Sequence, residues 1–371
     1  MQKIFLHLIL AGLVAGLVHC GVNEINSSRE EQRRDRYFSL AHYWAPIWHQ
    51  STHPERYRED YITSYDYDGD ARSNNNWENL TSMPDAALQA AIYYSVVETE
   101  THYYILYTDY HPRDWAEGPL AKMDSHENDL EGAMMVIAKS EQSQYGSFFV
   151  LYTQAHGRLF LFGNPVLRQT TVPYLGYQEE IPVTFKSLDG QGNHPELFVE
   201  SQGHGVYALG CRPFFGMECL SPSDTVYAEE SPDVFSSIIY APERTSRLET
   251  IAAPEDSTGE ASYALISIED TLWADRDNIS SEGQEARIFD RPWQYVAHDE
   301  QTIDLPMAFD GDTYKADSAN PPWAWDDFRD LLERGDFFFY PAETVRTHLG
   351  LDSQAAASVS TDYLYHPFLI P

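Results

Sequence analysis

Two runs rich in tyrosine, valine and isoleucine, Ala91–Val97 and Tyr103–Tyr107, are separated by only five polar residues, Glu98-Thr99-Glu100-Thr101-His102. β-Branched and aromatic side chains suit a pleated surface, and a short polar break between two such runs predicts a hairpin. A third run, Leu130–Ala138, is apolar on both faces, as a strand with neighbours on either side would be. Phe148–Thr153 and Leu159–Phe162 continue the pattern, and Phe198–Leu209 predicts another strand pair. Further along, Ser236–Tyr240 and Tyr263–Ile268 read as strands, Asp326–Arg334 as a short helix and Ser353–Ser360 as a mobile connector. No repeat recurs at a fixed period. Aromatic residues form 14% of the chain and Pro and Gly are spread along it, which favours short strands and irregular loops over long helices. The expectation is a mainly β fold, a β-sandwich with short helices and long loops and an elaborated C-terminal half.

The first twenty residues read as an export signal. Lys3 supplies a positive start, and Ile4–Val18 is apolar apart from His7, a run too short for a comfortable membrane span. Leu17-Val18-His19-Cys20 approximates the lipobox of bacterial lipoproteins, although His19 stands where a small residue is expected. Acylation of Cys20 would anchor the protein at the cell surface through an N-terminal lipid; without it the protein is secreted. Residues 21–36 are polar and charged and read as a linker, leaving 37–371 as one domain. Cys211 and Cys219 lie close together, so an exported chain allows a local disulfide, with two buried thiols as the alternative.

The chain carries 58 acidic against 24 basic side chains, a formal charge of -34. Such a surface repels nucleic acid and anionic headgroups and attracts cations. There is no Gly-x-Ser-x-Gly elbow, phosphate loop or dinucleotide fingerprint, so serine-hydrolase and nucleotide-dependent readings lose their support.

Chemistry concentrates in His126-Glu127-Asn128-Asp129-Leu130-Glu131-Gly132, just ahead of an apolar strand. On a strand, Asp129 and Glu131 point to the same face. His126, expected in the preceding loop, is free of that alternation, and Asp114 in the Asp109–Ser125 loop could close the set. One imidazole among several carboxylates favours Ca²⁺, Mg²⁺ or Mn²⁺ over sulfur-rich zinc sites. Without a cation these acids would repel one another beside an apolar strand, unless solvated or paired with Arg113 or Lys122.

Elsewhere, Asp66-Tyr67-Asp68-Gly69-Asp70 alternates acids as calcium loops do. Ala71 and Trp77 stand where an EF-hand needs Gly and Glu, so a polar turn is the better reading. The cluster Pro321-Pro322-Trp323-Ala324-Trp325-Asp326-Asp327 reads as core packing under a rigid turn rather than a sugar-stacking platform. His111, His156 and His194 are isolated in sequence and read as structural.

Tyr110-His111-Pro112-Arg113-Asp114-Trp115 followed by His126–Gly132 resembles the Vps62-like family and is similar, more distantly, to the necrosis-inducing (Nep1-like) proteins. The resemblance spans about Ala91–Leu209. It implies a β-sandwich with a His-x-x-Asp-x-Glu core after a loop aspartate, holding a divalent cation at Asp114, His126, Asp129 and Glu131. Ser201-Gln202-Gly203-His204-Gly205 looks like the family's later Ser-His segment and makes His204 a secondary candidate. Leu130 stands where the relatives usually have Trp, and Asn128 replaces their His or Gly, which weakens a toxin reading more than a metal-binding one. The expected function is a binding module whose cation meets a glycan or glycolipid head. The alternative is a metal-dependent hydrolase of phosphoesters or glycosides, with Glu127 or His204 as general base.

Overall fold

The computed structural model describes residues 29–369 apart from 71, 119–124, 164–175, 178–182, 189, 211, 214–218, 221–235, 252–253, 280–287, 299, 312–318 and 327–332. The export signal, Cys20, residues 21–28, Lys122, the expected Cys211–Cys219 pairing and most of the Asp326–Arg334 segment lie outside the described residues. The strands in chain order are β1 (Ile47–Thr52), β2 (Ala91–Thr99), β3 (His102–Asp114), β4 (His126–Ser140), β5 (Ser143–Ala155), β6 (Arg158–Gly163), β7 (Gly176–Tyr177), β8 (Phe185–Leu188) and β9 (Gln191–Val199). They continue with β10 (Val206–Ala208), β11 (Arg212–Pro213), β12 (Cys219–Leu220), β13 (Ser236–Pro242), β14 (Gly259–Ser267), β15 (Phe289–Val296), β16 (Thr302–Phe309) and β17 (Tyr363–Tyr365).

The fold is mainly β. The hairpin expected from the tyrosine-rich runs is β2–β3, and β4 lies centrally between β3 and β5, as its two apolar faces require. The sandwich expectation is not met. Thirteen strands join one mixed sheet in the order β10-β9-β1-β13-β14-β2-β3-β4-β5-β6-β7, with β17 added beside β2 and β8 beside β9. The strands that a sandwich would place in a facing layer, β1, β9, β13 and β14, instead continue the same hydrogen-bonded ladder. Its link to β2 is a parallel pairing, Ala264 opposite Ala91 through Ser267 opposite Tyr94. Strand twist curls so long a sheet upon itself. Accordingly β10 packs against β4 and β5, and the rings of Phe160 on β6 and Tyr207 on β10 meet at 5.2 Å, so the sheet is barrel-like and nearly closed.

Part of the expected linker is structured. Residues 29–44 form a helix whose Tyr37, Leu40, Ala41 and Trp44 recur at helical spacing and are buried. Arg36 and the Tyr37 hydroxyl donate to the buried Glu98 carboxylate at 2.8 and 2.6 Å, fastening the helix to β2. The supposed connector at 353–360 holds a short helix, Gln354–Ala357, whose N-cap Ser353 accepts from the Ala356 N–H. Trp323 and Trp325 are buried, donating to the carbonyls of Pro306 and Asn320 at 2.9 and 3.0 Å, as core packing predicts. The β15–β16 hairpin stands apart from the large sheet and packs Phe309 against Tyr110 of β3.

Candidate metal centre

The site lies where β3 and β4 end. In their ladder Asp109 stands opposite Glu131 and His111 opposite Asp129, so the four side chains share one face. Strict alternation would then send His126 to the other face. It does not, because Asn128 adopts the left-handed conformation (φ 58°), although the pairing of β3 with β4 keeps the same register on either side of it. Beyond Asn128, Asp114 stands opposite His126 in that unbroken register. Asp114 and His126, both expected in a loop, are therefore strand residues brought round by one backbone irregularity.

Buried hydrogen bonds hold Asn128 in place. Its Oδ1 accepts from Asn76 Nδ2 and the Tyr110 hydroxyl at 2.8 and 2.6 Å, and its Nδ2 donates to the carbonyls of Ser73 and Asp310 at 3.0 and 2.9 Å. Asn, with a short polar side chain, tolerates this conformation better than most residues.

Around this left-handed residue, six acids and four imidazoles gather. His126 Nε2 lies 3.1 Å from Asp114 Oδ2, and its Nδ1 lies 2.8 Å from the Asn128 carbonyl. Asp129 Oδ2 lies 2.9 Å from His204 Nδ1, and the other edge of that imidazole is 3.4 Å from Asp60. The His204 ring stacks on His111 at 3.7 Å, and His111 Nε2 lies 3.1 Å from Asp109. Glu131 Oε1 accepts from the His156 N–H at 3.0 Å; its Oε2 is buried with no hydrogen-bond partner among the described residues. His156 Nε2 meets Glu200 Oε2 at 2.6 Å. Fully buried Asp60 ties the arrangement together, accepting from the N–H groups of His53 and Gln202, the Ser201 hydroxyl and the Trp115 indole at 2.8 to 3.1 Å.

The electrostatics follow from this packing. Burial alone would lower the His204 pKa, but hydrogen bonds to Asp129 and Asp60 outweigh it and carry it up to about 10. Burial opposes charge on Asp129 too, yet His204 and His126 hold its carboxyl below the usual range. Glu131 goes the other way: burial pushes it well above the usual range, and the charges of Asp129, Asp109 and Asp114 push it further. His126 is raised because its bond to Asp114 overcomes burial, while His111 is lowered by burial and by the neighbouring His204.

Among the described residues no three His, Cys, Asp or Glu side chains are poised around one point to hold a metal ion. Asp114 is engaged with His126, and Asp129 with His204. The donor set nonetheless fits a hard cation. It is rich in carboxylate oxygen, it leaves Glu131 Oε2 unanswered, and the Asn128 carbonyl beside His126 Nδ1 would keep a proton on Nδ1, so that Nε2, once it gives up the proton it shares with Asp114, could offer a lone pair.

Other sequence candidates fall elsewhere. Glu127 turns toward the helix Asn76–Ser82, its Oε1 accepting from the Trp77 N–H at 2.7 Å. His204 is enclosed between Asp129 and Asp60. Arg113 pairs with Glu59 at 2.7 Å and stacks over Trp77, so its charge is already matched outside the acid cluster. In the Asp66–Asp70 segment, Asp68 and Asp70 accept from the N–H groups of Asp70 and Arg72 in a polar turn. Sequence reasoning did not single out Asp60, Asp109 or Glu200, and it read His111 and His156 as structural. Only the Asp109-x-His111 spacing, which puts both on one face once the strand at Tyr103–Tyr107 runs on through the expected Asp109–Ser125 loop, could have pointed to any of them. Six non-glycine residues among those described have positive φ, and four of them, Asn128, His156, Gln202 and His204, border this cluster, as backbone strain tends to do at functional sites.

A scan of known protein families finds none that matches the chain, and a search of curated proteins finds no relative. Among solved structures the chain is distantly similar to necrosis-inducing (Nep1-like) proteins. One, described as a toxin fold for microbial attack and plant defense, is 15% identical over 46% of this chain and 66% of its own, with a TM-score of 0.27. Necrosis and Ethylene inducing Protein 2, from the causal agent of cocoa's Witches Broom disease, is 14% identical over 62% and 73%, TM-score 0.25. NLPPya in complex with mannosamine is 14% identical over 49% and 69%, TM-score 0.25. Likeness at this level concerns parts of the fold alone.

Proposed function

We propose that Asp114, His126, Asp129 and Glu131 hold a divalent cation, Ca²⁺, Mg²⁺ or Mn²⁺, and that the protein is an exported binding module presenting that cation to a polar ligand such as a glycan or glycolipid head. The observation that carries this reading is the state of Glu131: a fully buried carboxyl, one oxygen unpartnered, pressed by burial and three neighbouring acids toward the neutral form. A dication would answer the free oxygen and offset the surplus charge, where a proton does only the second. Binding is preferred to hydrolysis because neither proposed general base faces open space: Glu127 is turned to Trp77, and His204 is walled in by Asp60 and Asp129. Attachment to a membrane, on this reading, runs only through a lipid at Cys20; among the described residues no helix is long and apolar enough to cross one.

Titration calorimetry of the mature protein with Ca²⁺, Mg²⁺ and Mn²⁺ tests the proposal. At least one cation is expected to give a saturable heat that Asp129→Ala abolishes. Identical heats from both proteins, or none from the wild type, would refute it.

A further inference from the structure

We propose that the groove beside the crossing from β13 to β14 binds a linear polyamine, a ligand whose ammonium groups are spaced by methylene stretches. The groove shares no residue with the acid–histidine cluster, so the proposal stands whether or not that cluster holds a cation.

The groove follows from topology. β13 and β14 pair in parallel, so no tight turn can join them and the chain must cross back over the sheet. The described parts of that crossing are 243–251 and 254–258. Its start is fixed by the Glu243 N–H, which donates to the Tyr263 carbonyl at 2.9 Å. Its end is held by the Tyr61 hydroxyl, donating to the Pro254 carbonyl at 3.1 Å, and the Thr52 hydroxyl, donating to the Ser257 carbonyl at 2.6 Å. Between the crossing, the sheet and β8 lies a space of about 760 Å³, the size of a small-molecule site.

The floor of this space is partly apolar. Ile238, Tyr240 and Pro242 of β13 are buried, while Ile239 and Ala241 are half-buried and look out from the other face. The parallel register sets Glu260 beside Ile239 and Ser262 beside Ala241. Leu188 of β8 adds another half-buried apolar side chain.

The rim is acidic. Glu243 at the start of the crossing, Glu255 near its end and Glu260 on β14 are exposed. Among the described residues their carboxylates have no hydrogen-bond or ion-pair partner. Lys186 is the one basic side chain among the described residues that line the groove. Acids are common on this chain, but these border a concave surface with apolar side chains in it.

Rim and floor together select the occupant. The carboxylates repel an anion. No three acids among the described residues gather around one point, so a metal ion would answer only part of the rim and leave the floor bare. Ammonium groups on a flexible chain can reach carboxylates on separate elements, and the methylenes between them cover Ile239, Ala241 and Leu188.

The test is titration calorimetry of the mature protein with spermine at physiological ionic strength, where isolated surface charges are screened. Ca²⁺ is kept in every solution, so that uptake of a divalent cation elsewhere does not enter the comparison. Hexaamminecobalt(III), a compact cation without methylenes, is the charge-only probe. The variants are Glu243→Gln/Glu260→Gln in the groove and, matched in charge, Glu100→Gln/Glu141→Gln at the exposed β2–β3 and β4–β5 turns. The expected result is saturable binding of one spermine per chain, about tenfold or more tighter than hexaamminecobalt(III). The groove variant should weaken it by about tenfold or more, and the turn variant should leave it unchanged. No saturable spermine binding, wild-type affinity in the groove variant, equal weakening by the turn variant, or hexaamminecobalt(III) bound as tightly as spermine would overturn the inference.

Discussion

Nε2 of His126 lies 3.1 Å from Oδ2 of Asp114, while the Nδ1 of the same ring lies 2.8 Å from the Asn128 carbonyl. With Nδ1 donating to that carbonyl, a second proton at Nε2 joins imidazole to carboxylate in the cation-free protein, and the bond to Asp114 raises the His126 pKa in spite of burial. On the proposed reading, a cation bound at Asp114 and Nε2 would take the place of that proton, and of the one held on Glu131.

Cation uptake should therefore release protons, with affinity rising as pH increases above the ordinary histidine value. Calorimetry at pH 7 in two buffers of different ionisation enthalpy measures this. The apparent heats should differ in proportion to the buffer enthalpies; equal heats would mean that no proton leaves.

His204 gives stability its own pH dependence. Its pKa in the fold, about 10, is above the ordinary histidine value, so the folded state binds the extra proton. That stabilisation is complete below about pH 6.5 and is lost as pH climbs through about 10. In chelator, the melting temperature of the wild type should fall across this window more steeply than that of His204→Asn, which tolerates the left-handed backbone. Parallel curves would contradict the assignment.

Asn128 turns His126 onto the acid face. Asn128→Ala removes four buried hydrogen bonds and strains a left-handed position, so a loss of about 2–4 kcal/mol is expected in urea unfolding. Asn128→Gly relieves the backbone strain alone and should recover about 1 kcal/mol of it. Equal stability of the two variants would show that the left-handed turn is not held against strain.

Gly132 follows the last proposed ligand and lets β4 lie close to its neighbours. A Cβ there would come within 2.9 Å of Trp325 Cη2 and 3.0 Å of Thr108 Cα. The backbone of β3 cannot yield as a flexible side chain could. Gly132→Ala should cost about 1–3 kcal/mol by overpacking, read as a lowered urea midpoint; an unchanged midpoint would contradict the close approach.

Local pattern revealed the local structure. The β2–β3 hairpin and the central place of β4 were legible in runs such as Tyr103–Tyr107 and Leu130–Ala138, because side-chain alternation is a property of neighbours in sequence. The curled single sheet was not, since it depends on pairings such as Ala264 with Ala91, which no local pattern encodes. The same divide runs through the site. The motif named Asp114, His126, Asp129 and Glu131, but Asp60, His156 and Glu200 join them only through folding: His204 reaches Asp129 across 75 positions. The placement of His126 was misjudged because one left-handed residue, Asn128, resets the alternation that strand reasoning assumes.

Crystals of the mature protein soaked in Mn²⁺ and measured for anomalous scattering would decide the central question most directly. A single strong peak bounded by the side chains of Asp114, His126, Asp129 and Glu131, absent in Asp129→Ala crystals, is the predicted result. A difference map with no peak there, and the His126–Asp114 and His204–Asp129 contacts unchanged at saturating Mn²⁺, would contradict it.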